Sequence, residues 1–190
     1  MAYAAWLSVY GSGRQRELAA EFIRYILERA EEGKEVYEKA RKIIEEGKAW
    51  GSLTLKGFEK EVEVDGRRHM VKVIGGEAIK EKQNGKTLLR IKITAEVGGV
   101  RSEYTITYSR SGDNAVKGRA YARTYVPGGR ETDAERLAAV IKALTGKEPR
   151  MYRMKDGKII IECGRSHLDG FARYAELADA IAKWLEETGR

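Results

Sequence analysis

Cysteine, histidine, proline and the side-chain amides are all scarce in this chain. A single cysteine, Cys163, excludes an internal disulfide and any multi-cysteine metal or iron–sulfur site. The two histidines, His69 and His167, fall in different parts of the sequence, and neither has a second histidine or cysteine at ligand spacing. No Ser/His/Asp or Cys/His constellation suggests itself, so catalysis is not the expected role. No apolar run reaches the roughly 18 to 20 residues of a membrane-spanning helix, and residues 1–10 lack the basic start of a signal peptide. Gly11-Ser12-Gly13 has no lysine where a phosphate-binding loop needs one and reads as a turn. No zinc, haem, flavin or nucleotide fingerprint is present. The expectation is a cytoplasmic protein without cofactor or metal.

Only two glutamines and two asparagines stand beside abundant Glu, Lys and Arg, the compositional habit of hyperthermophile proteins. The net charge of +7 is unevenly spread. Residues 87–130 carry 8 Lys and Arg against 3 Asp and Glu, whereas residues 1–50 balance at 9 and 9 and residues 131–190 at 11 and 11. Basic charge concentrated on one element is the footprint expected for a polyanion partner.

That element reads as three antiparallel strands over residues 87–125. Leu89, Ile91, Ile93, Ala95 and Val97 alternate with Arg90, Lys92, Thr94 and Glu96, and Val100, Tyr104, Ile106 and Tyr108 oppose Arg101, Glu103, Thr105 and Thr107. In the third strand Lys117, Arg119, Tyr121, Arg123 and Tyr125 share a face. Turns are expected at Gly98-Gly99 and Gly112-Asp113-Asn114.

Upstream, residues 2–13 form a short apolar run that reads as an edge strand or as the tail of a longer element upstream. Leu18, Phe22, Ile26 and Ala30 then recur at helical spacing, Gly33 breaks the pattern, and a second amphipathic helix follows from residue 34 to 46 before an exit at Gly47 and Gly51. Residues 52–75 read as a hairpin about Asp65-Gly66 with a bulge near Gly57, and residues 77–83 as a further short strand ending at Asn84-Gly85. Pro127-Gly128-Gly129 marks a subdomain boundary near 127–130 within a single domain of 190 residues. Beyond it, Thr132 and Glu135 have capping-box spacing for a helix stopped by Gly146. A hairpin about Lys155-Asp156-Gly157 follows, then one long helix capped by Ser166 with Leu168, Phe171, Ala175, Ala178, Ala182 and Leu185 along its seam. The fold class is therefore α+β: two N-terminal helices, a five- or six-stranded antiparallel meander, and a helix–hairpin–helix packed on its apolar face.

The runs LAAEFIRYILERA (residues 18–30), LLRIKITAEVGGVRSEYTITY (88–108), ERLAAVIKALTGKEPR (135–150) and HLDGFARYAELADAIAKWLEETGR (167–190) resemble the PaRep2b family. The resemblance implies an archaeal, hyperthermophile, intracellular protein associated with mobile elements. Members of that family are often longer, which implies a fragment or a shortened copy. The resemblance brings no catalytic motif.

The reading of the residues is nucleic-acid binding, DNA or RNA, by the basic face of the sheet. Arg90, Lys92, Arg101, Lys117, Arg119 and Arg123 are placed to neutralise phosphates, Thr105 and Thr107 to hydrogen-bond them, and Tyr121 and Tyr125 to stack on bases. A second reading is a protein-interaction module that forms a homodimer or docks through the apolar seam of the final helix. A third is a degenerate homing-endonuclease-like protein. For that reading Leu168-Asp169-Gly170-Phe171 supplies an acid and a glycine, but at a helix start, where Asp169 is better explained as a charge meeting the helix dipole.

Overall fold

A computed structural model of the chain describes residues 13–45, 50–51, 53–111 and 115–189. Residues 2–12 of the apolar run, with all but the last residue of its Gly11-Ser12-Gly13 turn, the exit at Gly47, Ser52 at the start of the expected hairpin and the turn at Gly112-Asp113-Asn114 lie outside the described residues. The element order is α1 Gly13–Arg29, α2 Glu35–Glu45, β1 Glu59–Val64, β2 Arg67–Gln83, β3 Lys86–Val97, β4 Val100–Arg110, β5 Val116–Tyr121, α3 Gly129–Thr145, β6 Arg150–Arg153, β7 Ile159–Cys163, α4 Arg165–Phe171 and α5 Ala175–Thr188. The class is α+β, as the alternation requires.

All seven strands form one antiparallel sheet in the order β1-β2-β3-β4-β5-β7-β6. The meander itself has five strands, because residues 77–83 are the second half of β2 rather than a strand of their own. A register shift between Val73 and Gly75 lets β2 run through the two glycines. Before the shift Val71 and Val73 are buried, and after it Gly76 and Ala78 face the same side. A Cβ on Gly76 would stand 2.7 Å from the Lys92 carbonyl oxygen, so only glycine fits there. The irregularity expected at Gly57 thus falls on the opposite strand. Gly57 itself has φ 82° and donates its N–H to the Val73 carbonyl at 3.1 Å. The sixth and seventh strands come from the C-terminal hairpin, which enters the sheet with β7 against β5.

The sheet curls about α3, which packs against β1, β2, β3 and β7. This helix is buried on nearly every side. Ala134, Ala138, Ala139 and Ala143 keep it thin, and Leu137, Ile141 and Leu144 fill the space to the sheet. It begins at Gly129, three residues before the expected cap. Thr132 lies in its first turn, donating its hydroxyl to the Gly128 carbonyl, and Glu135 pairs with Arg67 instead of closing a capping box. Gly146, at φ 72°, ends it as the sequence predicts. α5 packs on β2 and β3, α1 on α5, and α2 on α1.

The expected single C-terminal helix is broken. At Tyr174 the backbone turns extended and forms a parallel bridge to Leu53, with Leu53 N–H donating to the Arg173 carbonyl and Ala175 N–H to the Leu53 carbonyl. The Tyr174 ring is buried, and its hydroxyl donates to the Leu144 carbonyl at 3.1 Å. Gly51, whose N–H donates to the Ala172 carbonyl, and Leu53 therefore belong to this joint and not to the β1–β2 hairpin.

His167 takes the capping role expected of Ser166. Its Nδ1 accepts the Gly164 N–H at 3.2 Å and its Nε2 lies 3.3 Å from the Glu148 carbonyl oxygen, which fixes the neutral Nε2–H tautomer. Burial holds its pKa below the ordinary value. A base whose folded pKa is depressed contributes stability that is full above its unfolded value, about 6.5, and is lost as pH falls through the folded value. The melting temperature is expected to fall between pH 7 and pH 5, and to fall less in His167→Asn, which keeps the acceptor without the titration. Parallel pH profiles for the two proteins would exclude this role.

Candidate nucleic-acid interface

The side of the sheet away from the helices is built by register. Across β3 and β4, Glu96 faces Arg101, Thr94 faces Glu103, Lys92 faces Thr105 and Arg90 faces Thr107. Across β4, β5, β7 and β6, one row runs Thr107, Arg119, Glu162, Arg150, and the next holds Tyr121, Ile160 and Tyr152. Nine of the ten residues singled out in the sequence have their place on this outer face or at its edge: Arg90, Lys92, Arg101, Thr105, Thr107, Lys117, Arg119 and Tyr121 on the strands, and Tyr125 in the loop after β5. The packed helices all lie on the opposite, apolar side.

The face is not the basic surface that the charge count suggests. Glu81 lies 3.0 Å from Arg90, Glu77 lies 3.5 Å from Lys92 and Glu162 lies 3.9 Å from Arg119. These carboxylates come from β2 and β7, strands outside the basic stretch. Further along, Glu59 and Glu61 of β1 sit beside Lys72 and Arg68. Exposed ion pairs of this kind are worth at most about 1 kcal/mol each, but they cancel the local potential a phosphate would feel. Among the described residues, Arg101 and Lys117 have no carboxylate at ion-pair distance. Both stand on the β4–β5 side of the face.

Arg123 is the tenth residue, and it does not share the face. Strand β5 ends at Tyr121, and two residues later the chain has turned inward. Asp133 of α3, only 2% exposed, accepts the Arg123 backbone N–H at 2.7 Å, its Nε at 3.1 Å and its Nη2 at 2.8 Å. The guanidinium also donates to the Glu103 carbonyl and the Ser102 hydroxyl, and lies 5.5 Å from the centre of the buried Tyr104 ring. It is a structural clamp joining α3, the loop after β5 and the edge of β4.

The clamp sits where β4 and β5 part. Their pairing stops at Thr107 and Arg119, and beyond that point a cleft of about 260 Å³ opens between them. Glu103, Thr105 and Tyr121 line it from the outer face, Tyr104, Asp133 and Leu137 from below, and Arg123 and Tyr125 from the side. Burial raises the Tyr104 phenol pKa to about 12, and its hydroxyl has no hydrogen-bond partner among the described residues. Tyr121 and Tyr125 are 55% and 84% exposed. The sequence brings Thr105, Tyr121, Arg123 and Tyr125 forward without showing that they surround one opening. It misses Tyr152 and Arg150 altogether, because nothing local places β6 two strands from β5.

Other candidate chemistry resolves structurally. Cys163 is fully buried, with its thiol pKa pushed up to about 12 by burial. Asp169 sits in the short helix α4 and pairs with Arg165 at 2.8 Å. Among the described residues no three His, Cys, Asp or Glu side chains gather as a metal site would require. No described helix is long and apolar enough to cross a membrane. Leu177, Ile181, Trp184 and Leu185 of the final helix are buried within the chain.

The protein family described as PaRep2b protein matches residues 18–189, nearly the whole length. No curated protein and no solved structure matches the chain.

Proposed function

The chain belongs to the PaRep2b family, and from the layout of its outer face we propose that it binds single-stranded nucleic acid at the β5–β7–β6 end of the sheet. The observation that carries this reading is the grouping of exposed Tyr121, Tyr125 and Tyr152 with Lys117, Arg119 and Arg150. Aromatic faces stack on bases of any sequence, and nearby cations take the backbone phosphates. A duplex would need a longer run of unpaired cations than this face offers. The scarcity of amides and the many surface ion pairs support a hyperthermophile setting, and the family resemblance supports an archaeal, cytoplasmic, mobile-element-associated role.

The test is binding of fluorescent single-stranded DNA, single-stranded RNA and duplex DNA across a salt series. Single strands should bind more tightly than duplex and weaken steeply with salt. The Lys117→Ala/Arg119→Ala double variant should bind about ten-fold more weakly, with the log–log salt slope shallower by about 1. Arg90→Ala/Lys92→Ala, which removes cations away from the exposed tyrosines and held closer to Glu81 and Glu77 than Arg119 is to Glu162, should change binding by less than about two-fold. Absence of single-strand binding, or a Lys117/Arg119 variant that binds like wild type, would overturn the proposal.

A further inference from the structure

We infer that the cleft between β4 and β5 admits one unstacked base of the bound strand and that Glu103 selects for a base carrying an exocyclic amino group. The inference rests on the single-strand reading above and names what that site would hold.

The cleft enters the sheet from its outer face. Its upper wall belongs to the outer face and its floor to the core, so a group entering from the outer face would travel between the strands toward α3. A volume of about 260 Å³ falls just under the roughly 300 to 1,000 Å³ of sites for drug-sized ligands, and suits one ring system rather than a dinucleotide. The walls are those of a planar, partly polar guest. Tyr121 and Tyr125 offer exposed aromatic faces at the mouth, and Tyr104 and Leu137 offer apolar surface below. The Tyr104 side chain lines this space, and its buried hydroxyl has no hydrogen-bond partner among the described residues. Arg123 is largely spoken for: Asp133, Ser102 and the Glu103 carbonyl take four of its five N–H groups, so it shapes the wall and does not capture a phosphate. The phosphates are left to Lys117 and Arg119, which precede Tyr121 on the same face of β5.

Selectivity follows from Glu103. Its side chain stands on the outer face at the rim, opposite Thr94 in the register. A carboxylate only accepts hydrogen bonds, so it favours the amino group of cytosine or adenine over thymine or uracil, whose corresponding group is a carbonyl. A single strand is the substrate for which withdrawing one base from its neighbours is cheapest.

The experiment measures affinity for a thymidine homo-oligomer, the same oligomer with one central cytidine, and the same oligomer with one central abasic site. Cytidine is expected to bind about ten-fold more tightly than the uniform thymidine oligomer, and the abasic probe no more tightly than it. Glu103→Gln, whose carboxamide serves thymine and cytosine alike, should bring the two intact oligomers within about two-fold. Tyr125→Ala should weaken both by about ten-fold while leaving the melting temperature unchanged, since its ring is 84% exposed. If the oligomers bind with a steep salt dependence and weaken in Tyr125→Ala, but base identity and Glu103→Gln make no difference, the inference falls and the single-strand reading stands. If no oligomer binds, both fall.

Discussion

Asp133→Ala is expected to lower the melting temperature by on the order of 10 °C, the result of removing one partner from a buried ion pair at a cost of about 3–5 kcal/mol. Three donors of Arg123 converge on this carboxylate, one of them a backbone N–H, and all would be stranded beside the Tyr104 ring. Arg123→Ala should be nearly as damaging, because it leaves an uncompensated carboxylate inside the fold. The double replacement Arg123→Met/Asp133→Leu should recover most of the loss, since a well-packed apolar pair removes the stranded charges. Thermal melts followed by circular dichroism read all three. A single variant that melts with wild type would show that the clamp does not hold the loop after β5. The practical consequence concerns binding experiments: weaker nucleic-acid binding by an Arg123 variant would report a loosened fold, and cannot be counted as a phosphate contact.

Trp184→Ala is expected to cost a similar amount, roughly 3–5 kcal/mol, for loss of a fully buried indole. The ring lies between α5 and the sheet, its Nε1–H donates to the Thr87 carbonyl at 2.9 Å, and the Arg110 guanidinium stands 5.8 Å from it. Trp184→Phe keeps most of the packing and loses the hydrogen bond, so it should cost only about 1–2 kcal/mol. Urea titrations combined with size measurement separate this from a role in self-association. The expected result is a lower unfolding midpoint with no change of molecular size below it. Dissociation of an oligomer without loss of stability would return the final helix to the surface as an interface.

What the sequence makes legible is what local pattern controls. The period-2 alternation of residues 88–108 fixes which side chains of β3 and β4 are buried, and Asp65-Gly66, Asn84-Gly85 and Gly98-Gly99 each mark a turn because the backbone there needs a positive φ. The failures share one cause. Charges counted along the chain assign Glu77, Glu81 and Glu162 to other stretches, whereas register sets them beside Arg90, Lys92 and Arg119. The alternation of β5, extrapolated two residues beyond its end, puts Arg123 outside when the chain has already turned toward Asp133. The 3,4 spacing of the C-terminal helix continues through Tyr174, but a backbone bridge to Leu53, more than half the sequence away, opens the helix there. Each of these outcomes is decided by a partner remote in sequence, which periodicity cannot see.

The insertion of β7 between β5 and β6 also sets a schedule. While the polypeptide is being made, β1 to β5 can pair in the order they emerge, each strand only a few residues from its predecessor in sequence. The free side of β5 then waits, since Gly118 and Ala120 find their neighbours only when Cys163 and Ile161 have been synthesised and α3 has been laid down between them. Closing so long a loop is the slow kind of step in folding, and an unpaired edge is the kind of surface on which nascent chains stick together. Molecules interrupted before residue 159 would carry that edge uncovered, and the protein's yield at low temperature or on crowded ribosomes would be governed by how quickly residues 159–163 follow β5.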